Sequence, residues 1–154
     1  MLSLSLMLIL LVLGIAFLYR RQAQYRAAAA AAYQAQARAL CQAGLEDCRV
    51  KWQKDSHFPP RTSDDQLYFS YREVLPDDLN QVVGSFTVTI DFRLSAAPYR
   101  VARVTSVGTV DTARQPLAQH KIMAEFDLSE VVRGTNTPNR KYYQYINWKD
   151  LGNL

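Results

Sequence analysis

Two histidines, two cysteines and two acidic loop pairs are the side chains of this 154-residue chain singled out for chemistry. His57 lies in the polar stretch Asp55-Ser56-His57-Phe58-Pro59-Pro60, and His120 opens an alternating run; neither has a Ser or Cys motif beside it to make a nucleophile and base. The chain has no Gly-rich phosphate loop and no H-E-x-x-H. Asp64-Asp65 and Asp77-Asp78 have calcium-ligand chemistry, but acidic pairs between Pro, Ser and Asn residues serve turns at less cost. Nothing here assembles an acid, a base and a pocket. The expectation is a protein that is not an enzyme and holds no cofactor and no metal.

Cys41 and Cys48 are seven residues apart, so on a helix they share one face at about 10 Å, too far for a mutual disulfide. They fall in register with Leu45 and Trp52, and the spacing 41, 45, 48, 52 is that of a helix face buried against something else. Two small buried hydrophobes are the plain reading. An intersubunit disulfide, or local unwinding to allow a bridge, is the alternative, and a metal site lacks a second ligand pair.

That stripe needs a helix to carry it, and the first 54 residues supply one. Leu2 to Leu18 (LSLSLMLILLVLGIAFL) has no charge and no proline, and 13 of its side chains are large and apolar. Hiding them is worth on the order of 20 kcal/mol, more than the net stability of a typical domain. The segment therefore belongs in a bilayer or among other hydrophobic helices. Its candidate residues for burial in a membrane or among neighbouring helices are Leu2, Leu4, Leu6, Leu8, Leu10, Leu11, Leu13, Gly14, Ile15, Phe17 and Leu18. Beyond Tyr19-Arg20-Arg21 the sequence to Arg38 is mostly Ala, Gln and Arg, with six consecutive alanines from Ala27 to Ala32, and the first proline is Pro59. The pattern predicts one helix over 1–54, apolar over 1–18 and amphipathic over 19–54, about 80 Å long.

The charge follows that division. Residues 1–54 carry a net +5 and residues 55–154 a net −1. Basicity beside an apolar helix end suits phospholipid head groups or neighbouring helices, and a nearly neutral domain argues against nucleic acid. As a signal peptide the N-terminus lacks a basic n-region and an A-x-A exit. As an anchor this 17-residue segment spans roughly 26 Å. Arg20 and Arg21 would then place the domain in the cytoplasm if Met1 is the true start, a conflict that a basic leader removed before Met1 would resolve.

Residues 55–154 read as a sheet domain. Strands are predicted at Leu67–Val74, at Val82–Leu94 and at Tyr99–Val110, with a bulge near Arg103, and a fourth at His120–Leu128. Phe86, Val88, Ile90 and Phe92 line one face of the second; Ile122, Ala124, Phe126 and Leu128 line one face of the fourth. Short connections without helices give an antiparallel meander, whose apolar face needs the 41, 45, 48, 52 stripe as its cover. The aromatic segment Tyr142, Tyr143, Tyr145, Ile146, Trp148 and Leu151 suits either a sheet edge or a subunit contact, the former preferred. The fold class is α+β, a long N-terminal helix on a four-stranded antiparallel sheet.

That arrangement resembles the type IV pilins and type II secretion pseudopilins. The apolar stretch with Gly14 is similar to the family's N-terminal segment, and Ala39 to Leu45 (ALCQAGL) to the corresponding helix of PilX-like minor pilins. The resemblance implies a leader cut before Met1, which removes the topology conflict. It implies a subunit held in the inner membrane and then built, by pilus or secretion assembly machinery, into an extracellular helical homo-oligomer. Ser5 stands where the family usually has Glu, and Gln22 where many members have Pro. A missing acid at that position points to an initiator or tip pseudopilin as one alternative, and a monomeric single-pass anchored binding domain is the other.

Overall fold

The computed structural model describes residues 2–55, 57–60, 66–76, 82–111, 115–132 and 134–154. A chain rich in Leu and then Ala, with no proline to interrupt it, forms one unbroken helix, α1 (Leu2–Lys54). It passes through Gly14 and Gly44 without a break. Lys51 and Lys54 sit in the last turn, where cations complement the helix dipole. The Lys51 carbonyl accepts the Asp55 N–H at 2.9 Å, and Asp55 Oδ1 then accepts the His57 N–H at 2.8 Å and turns the chain. Phe58 comes down edge-on against Phe69 and Tyr71, both ring centroids 5.8 Å away.

Among the described residues five strands follow: β1 (Tyr68–Pro76), β2 (Val82–Asp91), β3 (Val101–Asp111), β4 (Pro116–Asp127) and β5 (Tyr145–Asn153). They form one antiparallel sheet in sequential order. A long apolar N-terminal helix laid on such a sheet is a pilin-like architecture, with five strands rather than the expected four. The fifth is the aromatic C-terminal segment, hydrogen-bonded to β4. Its pairing slips at Lys121/Ile122 and at Glu125/Phe126, with Gly152 at φ 85° beside the first slip. Two slips destroy the period of two by which a strand is read from sequence.

Other boundaries also move. β2 stops at Asp91 rather than Leu94, because the Asp91 carboxylate accepts the Arg93 N–H at 3.0 Å and grips its guanidinium at 2.7 Å, folding the chain into a turn. β1 runs on to Pro76. β3 begins two residues after Tyr99, since Arg100 at φ 48° still belongs to the turn. β4 begins four residues before His120, at Pro116, where a strand's first residue tolerates a missing N–H. The bulge expected near Arg103 lies instead at Val110/Asp111. Arg103 keeps regular register with Asp91 and Glu125 and binds Glu125 Oε1 at 2.9 Å on the sheet's outer face. Asp64-Asp65 and Asp77-Asp78 lie outside the described residues.

α1 lies over β3 and β4 and, less closely, over β2. Between helix and sheet Cys41, Leu45, Cys48 and Trp52 meet Phe86, Val88, Ile90, Val104, Ile122 and Phe126 in one buried cluster. The expected apolar stripe is thus the cover of the sheet. Both cysteines are free thiols, buried at this interface on intact helix and out of reach of a second copy while the domain stays folded.

Burial, helped by the charge of Asp47, pushes the Cys48 thiol from 9.0 up to about 12. Above pH 9 the unfolded chain therefore releases this proton before the folded one does. Stability from the buried thiol is complete below about pH 9 and drains away as pH rises toward 12. The urea midpoint of the wild type is expected to fall more steeply across that window than that of Cys48→Ala. At pH 8 a maleimide reagent is expected to leave Cys48 unmodified until urea unfolds the domain.

Candidate functional site

The most unusual surface of the molecule is the part of α1 that the sheet does not cover. Among the described residues Ala37 is the first in the helix to be wholly buried, and from there Cys41, Leu45, Cys48 and Trp52 follow at the spacing of one helix face. Before it, the large apolar side chains from Leu6 to Leu18 are 46–71% exposed. Among the described residues this one helix is long and apolar enough to cross a membrane, and none of its apolar window is buried within the chain. Nothing lies within 4 Å of a side chain built at Gly14. Leu2 and Leu4 continue the same helical run. Among the described residues one helix thus serves two environments, with the sheet over its last third and an exposed surface from Leu6 to Tyr33.

How closely the covered third approaches the sheet is set by residues too small to register as hydrophobic pattern. A Cβ on Gly108 in β3 would stand 2.1 Å from the Ala37 carbonyl oxygen and 2.5 Å from the Cys41 nitrogen. Helix and strand backbones touch here. A glycine inside a strand is the sequence signal for such an approach, and Gly108 carries it. Next to it Cys41 Sγ donates to the Ser106 carbonyl at 2.9 Å, and Gly44 sits over the Ser106 hydroxyl. Further along, Trp52 meets Phe126 edge-on at 5.1 Å and stacks on Tyr143 at 5.7 Å.

Polar ties hold the rim. At the helix end Lys51 pairs with Asp47 at 2.7 Å and with Glu73, and its ammonium sits 4.1 Å from the Tyr71 ring centroid. The Tyr71 hydroxyl donates to Asp47 Oδ2 at 2.8 Å; burial first, then the neighbouring Cys48 and Asp47, hold that phenol well above its ordinary range. Burial alone would weaken the Lys51 charge, but hydrogen bonds to Asp47 and Glu73 outweigh it and raise its pKa.

On the opposite flank β5 is fastened to both β4 and α1. The Tyr145 hydroxyl donates to Glu46 Oε1 at 2.6 Å, and Arg38 reaches Asp150 at 3.2 Å. His120 Nε2 lies 2.8 Å from Asp150 Oδ1, at ion-pair distance but outside hydrogen-bond geometry, while Nδ1 meets Asn153 Oδ1 at 2.8 Å. The Gly152 N–H, then the charges of His120 and Arg38, hold the Asp150 carboxyl below the usual carboxylate range. The sequence showed no sign of these pairings, which join residues 30 or more positions apart.

The structure does not bring the two histidines together. His57 is exposed in the turn after Lys54, whereas His120 shares Asp150 with Arg38, 16 helical residues or about 24 Å back along α1. Among the described residues no group of three or more His, Cys, Asp and Glu side chains is placed to hold a metal ion. No family model, no curated protein and no solved structure matches this chain.

Proposed function

We propose that this chain is a structural subunit of a pilus-like helical filament, held in the inner membrane by the first third of α1 before assembly and displayed outside the cell afterwards. The observation that carries the reading is the uncovered length of α1, an apolar segment followed by an Ala-rich rod, joined without a break to a folded sheet domain. In a membrane the apolar segment meets lipid; in a filament it meets the same segment of other copies, and head-to-tail contacts of that kind generate open helical assemblies. Ser3, Gly14, Ala16 and Ala27 to Ala32 permit close helix approach. The sheet domain forms the outer surface. On this reading the protein is not an enzyme, takes no cofactor and does not bind nucleic acid. Its partners are further copies of itself and the assembly machinery.

Ser5 supports a second reading, a minor pseudopilin that starts or tips a short filament, since an acid is what bulk subunits of that family carry there. Electron microscopy of material sheared from expressing cells, with peptide identification by mass spectrometry, separates the two. Abundant filaments built from this chain are expected. Ala30→Glu, which buries a like charge from every subunit between neighbouring rods, is expected to cut filament yield at least about tenfold. It should leave the thermal unfolding of the sheet domain unchanged, because Ala30 lies before the covered part of α1. Retention of the chain in membranes with no filament at any expression level would sink the bulk-subunit reading. If no filament forms and Ala30→Glu is retained in the membrane as the wild type is, the anchored monomer with the rod as a spacer is favoured.

A further inference from the structure

Between the apolar segment and the Ala-rich rod, Phe17 to Arg26 (FLYRRQAQYR) gathers three arginines and two tyrosines on continuous helix. Tyr19 and Tyr25 are 70% and 73% exposed. Among the described residues Arg20, Arg21 and Arg26 have no acidic partner. The first acid of the sequence is Glu46, which binds Arg49 and Tyr145 and stands about 30 Å further along the helix than Arg26. Arg38, the next cation of α1, is engaged with Asp150. The helix thus carries three positive charges beside its apolar segment, and none of the described residues balances them.

Their placement says what kind of counterpart balances them. At about 100° per residue, Arg21 and Arg26 lie about 100° and 240° round the axis from Arg20, so the three divide the circumference into nearly equal sectors. One packed helix covers a stripe of about 100°. A second copy of this arm brings the same arginines and no acid. Arg20 and Arg26 stand six residues, about 9 Å, apart along the axis, and anions available on every side within a band of that width are the property of a lipid head-group layer. Helical side chains lean toward the N-terminus, which carries each guanidinium back toward the apolar boundary. Arg21 does so visibly, its guanidinium 5.2 Å from the centroid of the Phe17 ring. A guanidinium matches a phosphodiester through paired N–H donors, and tyrosines settle at the same depth.

We infer that Tyr19 to Arg26 is a collar that binds anionic phospholipid head groups around the whole circumference of α1. The inference rests on the membrane reading of the segment before it. The geometry is that of a bilayer surface, where an arginine adds about 1 kcal/mol, or about fivefold, of preference for anionic lipid.

The test uses the full chain reconstituted in phosphatidylcholine bilayers and in mixed phosphatidylcholine and phosphatidylglycerol bilayers. Electron paramagnetic resonance of spin-labelled lipids reads how strongly each lipid associates with the protein boundary. Wild type is expected to prefer phosphatidylglycerol over phosphatidylcholine at least about fivefold, with the preference shrinking as salt rises. The triple variant Arg20→Gln, Arg21→Gln, Arg26→Gln is expected to show a ratio near one, and the corresponding triple Lys variant to keep most of the preference. Equal ratios in wild type and the Gln variant overturn the collar, as does loss of the preference on adding millimolar inorganic phosphate, which would assign the arginines to free anions. Unchanged lipid selectivity with self-association lost in the Gln variant also overturns it and assigns them to a neighbouring copy. No boundary lipid of either kind with the wild type is a different failure, that of the membrane reading itself.

Discussion

Gly108→Ala is expected to lower the unfolding free energy of the domain by at least about 3 kcal/mol, the upper end of what overpacking costs. The new methyl group would stand 2.1 Å from the Ala37 carbonyl oxygen and 2.5 Å from the Cys41 nitrogen, and both are backbone atoms that no rotamer change can move. Helix and β3 must separate by more than an ångström. That separation loosens Cys41 and its 2.9 Å contact with the Ser106 carbonyl, then Leu45 against the sheet. Two other glycines calibrate the effect. Gly44→Ala meets only side-chain atoms, Ser106 Oγ at 2.5 Å and Phe86 Cδ2 at 2.9 Å, and gains about 1 kcal/mol of helix propensity. Its net cost should be the smaller. Gly14→Ala meets nothing within 4 Å and should leave the domain's unfolding untouched. Urea denaturation of the three variants in detergent, followed by the fluorescence of Trp52 and Trp148, measures the order. Equal stability of Gly108→Ala and wild type would mean that α1 does not ride on β3 at this point.

The second large effect is at the other end of the helix. Leu11→Asp puts a carboxylate at the middle of the apolar segment, where insertion costs about 2.5–3.5 kcal/mol, about 60- to 300-fold in partition. Carbonate-resistant membrane association is expected to drop by roughly that factor. Leu11 is 57% exposed and lies in a stretch of helix that the rest of the chain does not cover, so the fluorescence-detected unfolding of the domain should match wild type. A variant that stays in the membrane would show that Leu2 to Leu18 is not the part that holds it there. A variant whose domain unfolds would show that tail and domain share a core.

What the sequence made legible follows from physical size. Large side chains at regular spacing announced themselves: Phe86, Val88 and Ile90 at every second position, and Cys41, Leu45, Cys48 and Trp52 at helical spacing, all now in one cluster. The residues that set the depth of that cluster are small. Ala102, Ser106 and Gly108 face the helix in strict alternation, but a hydrophobic pattern does not register them, and the run around Arg103 therefore looked irregular. β5 was visible as an aromatic segment and hidden as a strand, because two slips in its pairing scramble the alternation. The rim contacts Arg38 to Asp150, Tyr145 to Glu46 and Lys51 to Glu73 join distant positions and leave no local trace. For the candidate site the split is similar. The apolar arm could be read residue by residue, whereas the extent of its uncovered part, up to Ala37, required knowing where the sheet begins.

The absence of any break in α1 between Leu2 and Lys54 also has a mechanical meaning. A pull applied along the arm arrives at the domain in line with the helix axis, so Ala37, Cys41, Leu45, Cys48 and Trp52 must all slide past the sheet together before anything yields. The backbone contact at Gly108 and the ring of Trp52 wedged between Phe126 and Tyr143 resist that slide as teeth in a rack would. A sideways pull meets the same residues one turn at a time, beginning at Ala37, and peels them apart. The domain is therefore built to be strong in tension along its stalk and weak against prying.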